Sequence, residues 1–153
     1  MPRRLGLALT IVLVTLAAGC GGSSAIPRSD YDAAVVSTRD RVDAALAHIT
    51  QATSKDDFLH RMVESAGLID RAADDLGDTG SAKGFEAETK QLVQALKQLA
   101  VDLEATANQI REPDFENLLQ GTQGLNFDSW TKANRILAVL KKRGVKVEPL
   151  GRH

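Results

Sequence analysis

The chain has 153 residues, 43% of them hydrophobic and 25% charged, with 19 Lys and Arg against 20 Asp and Glu, three His and one Cys. That is enough length and apolar content for one domain with a real core. A formal net charge of -1 argues against a dedicated nucleic-acid binder, which needs a basic face, and a single cysteine excludes an internal disulfide, a cysteine-based zinc site and a CxxCH haem attachment.

The chain opens Met1-Pro2-Arg3-Arg4 and continues into an apolar run from Leu5 to Ala18, broken only by Gly6, Thr10 and Thr15. The run is 14 residues long, whereas a membrane-spanning helix needs about 20. A charged start, a run of this length and the small residues Ala17-Ala18-Gly19 make a secretory signal, and Cys20 follows at once. The stretch Leu16-Ala17-Ala18-Gly19-Cys20 resembles the cleavage motif of bacterial lipoproteins, with leucine four rather than three positions before the cysteine. Residue usage also resembles that of small actinobacterial lipoproteins. The resemblance implies that residues 1–19 are removed and that Cys20 becomes the first residue. Cys20 then carries a covalent diacylglycerol and an N-acyl chain, on the extracytoplasmic face of the cell membrane. Two acyl chains anchor stably where one is marginal. Removing Arg3 and Arg4 takes the net charge from -1 to -3. Residues 20–28, with Gly21-Gly22-Ser23-Ser24-Ala25-Ile26-Pro27, read as the lipidated cysteine and a flexible tether with a stiff end.

Residues 29–153 predict an all-α domain, an antiparallel up-down-up-down four-helix bundle with a short extra helix before the last one. A first helix, capped by Ser29, carries Tyr31, Val35, Thr38, Val42, Ala45, Ile49 and Ala52 at alternating four and three spacing. A second, capped by Ser54 with Asp56 and Asp57 in its first turn, carries Leu59, Met62, Ala66, Ile69, Ala73 and Leu76, and ends at Gly77-Asp78-Thr79-Gly80. The third, from about Ser81 to Glu112, has Phe85, Thr89, Leu92, Leu96, Leu99, Leu103, Thr106 and Ile110 on its seam. Val93, Ala100 and Ala107 lie alongside, a width that suits two neighbours. Pro113 to Gln120 reads as the short extra helix, closed by Gly121. The last helix starts near Asn126 or Asp128, carries Trp130, Ala133, Ile136, Leu137 and Leu140, and stops at Arg143 before Gly144. Short linkers between the first three helices impose the antiparallel order. The tail Val145-Lys146-Val147-Glu148-Pro149-Leu150 suits an extended strap across a helix.

Little of this sequence points to chemistry. Asp57-x-x-His60 with Glu64 is the nearest approach to a metal-ligand pattern, but the register puts all three on an outer face, where helix-stabilising pairs are the plainer reading. His48 borders the first helix's seam, and Met62 has no histidine opposite it for haem ligation. No Gly-x-Ser-x-Gly is present, Gly121-Thr122-Gln123-Gly124 lacks the lysine of a phosphate loop, and the adjacent pairs Asp56-Asp57 and Asp74-Asp75 diverge by about 100° around a helix. The expectation is therefore a non-enzyme with no catalytic, cofactor or metal residues, apart from the lipid on Cys20. The alternative class is a carrier of a small ligand, haem or metal.

Two features suggest contact surfaces. Phe115, Leu118, Leu119, Leu125, Phe127 and Trp130 cluster around the last connection. They either cap the open end of the bundle or form an apolar patch that docks an envelope protein. Lys141-Lys142-Arg143, with Lys146 and Arg152, complements the dipole of the last helix and offers a basic tip to anionic headgroups.

Overall fold

The computed structural model describes residues 25–110 and 127–151, and these form four α-helices with no strand among the described residues. They are α1 (Arg28–Ile49), α2 (Lys55–Thr79), α3 (Glu86–Gln109) and α4 (Asp128–Lys142). The signal segment, Cys20 and the expected short helix Pro113–Gln120 lie outside the described residues. Helix α2 packs against both α1 and α3, and α3 also packs against α4. The result is a helical bundle around one apolar core.

In α1 the alternating row Tyr31, Val35, Thr38, Val42, Ala45 and Ile49 is buried throughout. The expected cap at Ser29 is not used. The helix starts two residues earlier, with Pro27 in the cap position and its carbonyl accepting from Tyr31 N at 3.1 Å. Proline has its φ already set for this role, and the Ser29 hydroxyl bonds Asp30 instead.

Helix α2 is capped as expected: Ser54 is extended, and its hydroxyl accepts from Asp57 N. Its core face is wider than expected: Phe58 is fully buried and Leu59 only partly so, and Ser65 and Ala72 are buried as well. The reason is that α2 has neighbours on two sides. One row, Phe58, Met62, Ser65, Ile69, Ala72 and Leu76, runs beside a second, Met62, Ala66, Ile69, Ala73 and Leu76. Small residues at 65, 66, 72 and 73 let backbones approach closely. Ser65 is fully buried and donates its hydroxyl to the Ala45 carbonyl of α1 at 2.8 Å.

Helix α3 begins at Glu86, five residues later than expected. Gly80 and Gly84 have φ of 86° and 84°, a left-handed backbone that only glycine adopts at no steric cost and that no helix can run through. Beyond this turn Phe85, Thr89, Leu92, Leu96, Leu99 and Leu103 are buried, with Ala95, Ala100 and Ala107 beside them. Thr106 and Ile110 are only partly buried, and the helix stops at Gln109. Thr89 Oγ1 lies 2.8 Å from the Phe85 carbonyl and 3.0 Å from Tyr31 Oη. A carbonyl only accepts, so the threonine hydroxyl bonds it and receives the phenol proton in turn. Burial pushes the Tyr31 phenol above its ordinary pKa, so the core holds a neutral tyrosine.

The last helix buries Ser129, Ala133, Leu137 and Leu140, whereas Trp130, expected on the seam, is only half-buried. Ser129 takes the inward position because its hydroxyl donates to Asp102 of α3. At the other end Gly144 N bonds the Lys141 carbonyl and Val145 N bonds the Leu140 carbonyl, with Gly144 at φ 91°. That is a Schellman turn, and it redirects the chain back along the bundle.

The tail beyond Gly144 is a structural element in its own right. Val145, Val147 and Leu150 are buried to 1%, 1% and 3% exposure while Lys146, Glu148 and Pro149 face out, and Val147 N bonds the Val145 carbonyl at 2.9 Å. The tail runs along α1: Arg28 bonds the Arg143 carbonyl, Arg39 donates twice to the Pro149 carbonyl at 3.1 and 2.7 Å, and Gly151 N donates to Asp43 at 2.6 Å. On its other side Leu150 N donates to Asn134 of α4, and Lys141 pairs with Glu148. The strap thus bridges α1 and α4, which are not among the closely packed helix pairs.

Candidate functional site

Of the sequence-predicted contact residues, Cys20, Phe115, Leu118, Leu119 and Leu125 lie outside the described residues. Phe127 and Trp130 are described, and both are partly buried against the core at the start of α4. Phe127 occupies the cap position with no side-chain cap bond, so the helix start is defined by packing rather than by polar capping. These two rings line the end of the bundle where α3 ends and α4 begins.

The outward carboxylates and histidines of α2 do not converge. Asp57 accepts from Thr53 N at 2.9 Å and from Arg61 Nε at 2.8 Å, His60 is exposed, and Glu64 turns to His48 of α1, with Oε2 3.3 Å from Nε2. Among the described residues no group of three or more His, Cys, Asp or Glu is placed to hold a metal ion.

The partnership of His48 and Arg61 is not visible in the sequence. Arg61 Nη1 is 3.1 Å from His48 Nδ1 and 3.3 Å from the His48 carbonyl. A guanidinium only donates, so Nδ1 is an acceptor and the ring proton sits on Nε2, facing Glu64. Both ring nitrogens are therefore engaged. The chain Asp57–Arg61–His48–Glu64 ties the end of α1, whose last carbonyls lack helical partners, to the flank of α2. No spacing rule links positions 48 and 61, and only the fold brings them together.

The backbone N–H of Thr53, and then Arg61, hold the Asp57 carboxyl below its ordinary pKa. A depressed folded value means the stabilisation is present above the unfolded carboxylate pKa, about 4, and is lost as pH falls through the folded value. Asp57→Asn is therefore expected to be less stable than wild type at neutral pH, with the gap closing as acid takes the pH through the lowered folded value. Urea midpoints measured across that range check it, and a gap that persists unchanged in acid contradicts the role given to the charge.

The surface has shallow, open grooves. One is lined by Gln91, Gln94 and Gln98 of α3 and by Lys132, Arg135 and Ile136 of α4. Another lies along α1 beside the strap, with Asp32, Val36, Asp40, Arg41 and Lys146 on its walls. Both are open to solvent, and the second also has the Ser37 hydroxyl on its wall. Comparisons with family models, with curated proteins and with solved structures return no match to this chain.

Proposed function

We propose that this chain is a lipid-anchored protein of the bacterial cell envelope whose helical domain works by binding, with no catalysis of its own. The observation that carries the reading is the stretch Leu16–Cys20 at the end of a short apolar run, with the chain's single cysteine at the cleavage position and a Gly/Ser tether behind it. In this reading Cys20 carries the lipid, and the domain stands on the extracytoplasmic face of the membrane. The domain is an up-down-up-down antiparallel bundle with a short helix over Pro113–Gln120 before α4. Opposed numbering supports the antiparallel order: Arg41 pairs with Asp75 and His48 with Glu64 across α1 and α2, while Glu88 pairs with Arg143 and Asp102 with Ser129 across α3 and α4.

Support for binding comes from how the polar side chains are engaged. His48, Asp57, Arg61, Ser65, Thr89 and Asp102 each join one segment to another. The docking surface in this reading is the apolar cluster Phe115, Leu118, Leu119, Leu125, Phe127 and Trp130, which faces a protein partner in the envelope. A photoreactive side chain at Trp130 is expected to capture a discrete envelope protein in intact cells, and one at exposed Ala138 is not. Absence of any adduct, together with turnover of a small molecule by the pure protein, overturns the proposal.

A further inference from the structure

The structure also indicates which end of the domain meets the bilayer, an inference that rests on the lipid-anchored reading above. Ile26 N donates to the Ser81 carbonyl at 3.1 Å, so the incoming chain is fastened to the α2–α3 turn. Ile26 is only six residue steps from Cys20, a reach of about 20 Å even when fully extended. The helices are 15 to 25 residues long, so the longest span about 37 Å. A cysteine held at the headgroups therefore keeps one pole near the membrane: the first turn of α1, the turn at 80–85 and the end of α4. The opposite pole, with the turn at 50–54, lies beyond the tether's reach.

The charges of the near pole are unevenly used. Its acidic groups are largely engaged inside the protein: Asp32 with Arg28, Glu88 with Arg143, Glu148 with Lys141, and Glu86 accepting from Gly84 N. Lys83, Lys142 and Lys146 are exposed and enter no ion pair among the described residues. On the flank formed by α2, exposed Asp74 pairs with Lys97 and Asp75 with Arg41, which leaves exposed Asp70 and Asp78 outside any ion pair among the described residues. We propose that the pole built from the first turn of α1, the α2–α3 turn and the end of α4 lies against the membrane, with Lys83, Lys142 and Lys146 contacting anionic lipid headgroups. Within a Debye length of about 8 Å such cations are attracted to the surface. The anchor supplies the attachment, and the lysines set the tilt.

The test uses the full lipidated protein in vesicles. Acylated Cys20 leaves no free thiol, so an introduced cysteine is a unique labelling site. A fluorophore is placed through Ala87→Cys at the near pole, Lys132→Cys on the flank or Gln51→Cys at the far pole, all at exposed positions. The vesicles are phosphatidylcholine with or without phosphatidylglycerol, and headgroup-spin-labelled lipid acts as quencher. With phosphatidylglycerol present, the near-pole reporter is expected to be quenched severalfold more than the other two. That quenching is expected to weaken in neutral vesicles and in a Lys142→Gln/Lys146→Gln background. Equal quenching at all three sites, or stronger quenching on the flank, overturns the orientation. Near-pole quenching indifferent to lipid charge and to both glutamines overturns the role of the lysines. Wild-type protein that takes the thiol reagent at Cys20 is not lipidated; the anchoring reading then fails, and this proposal falls with it.

Discussion

Truncating the chain after Gly144 is expected to abolish the cooperative thermal transition of the domain. The deleted strap contributes three side chains, Val145, Val147 and Leu150, exposed to 1%, 1% and 3%. Burying each is worth about 1.5–3 kcal/mol, so the set supplies roughly 5–9 kcal/mol, against a total of about 5–15 kcal/mol for a typical domain. Losses beyond these three add to it. Arg39, Asp43 and Asn134 lose the backbone groups they bond, and the apolar surface between α1 and α4 opens to water. Circular dichroism on heating, with and without the segment, measures the effect. A truncated chain that melts sharply within a few degrees of wild type shows that the strap is an ornament on a self-sufficient bundle.

Cys20→Ala is expected to eliminate acyl labelling and to leave a precursor 19 residues longer than the mature chain. In bacterial lipoproteins the thiol receives the diacylglycerol before the peptide bond ahead of it is cut, so removing the sulfur blocks both steps. The loss is complete rather than graded, because no second cysteine stands in reserve. Metabolic labelling with a radioactive fatty acid, read beside precursor size, decides it. Labelling of the variant at the wild-type level places the lipid elsewhere or makes Leu16–Cys20 an ordinary signal end.

The sequence exposes the fold most clearly where one face of a helix meets one side of the core. The α1 row from Tyr31 to Ile49 obeys the four-three alternation without a fault, polar Thr38 included. Legibility declines in α2, because a helix between two neighbours carries two overlapping rows, and the second is disguised by Ser65 and by alanines. In α4 a serine displaces a tryptophan from the inward position, which composition ranks the other way; the Asp102 carboxylate on α3 decides the matter. The start of α3 lies later than its apolar spacing suggests, because Gly84 is a left-handed stop that periodicity does not register. The polar site is the least legible part. His48 and Arg61 are 13 positions apart on different helices, and their contact depends on the angle at which those helices pack.

The stacked pole has a mechanical consequence. The guanidinium groups of Arg28 and Arg143 both lie over the Phe85 ring, 4.3 and 4.0 Å from its centroid, and the Tyr31 ring leans on the same aromatic at 5.1 Å. Arg28 also donates to the Arg143 carbonyl, and Arg143 to the Gly84 carbonyl. Tension applied through residue 26 therefore spreads at once into the α2–α3 turn and the end of α4. It does not peel the first turn of α1 away by itself. That end of the domain is a rivet through three segments, and a load on it is shared among them.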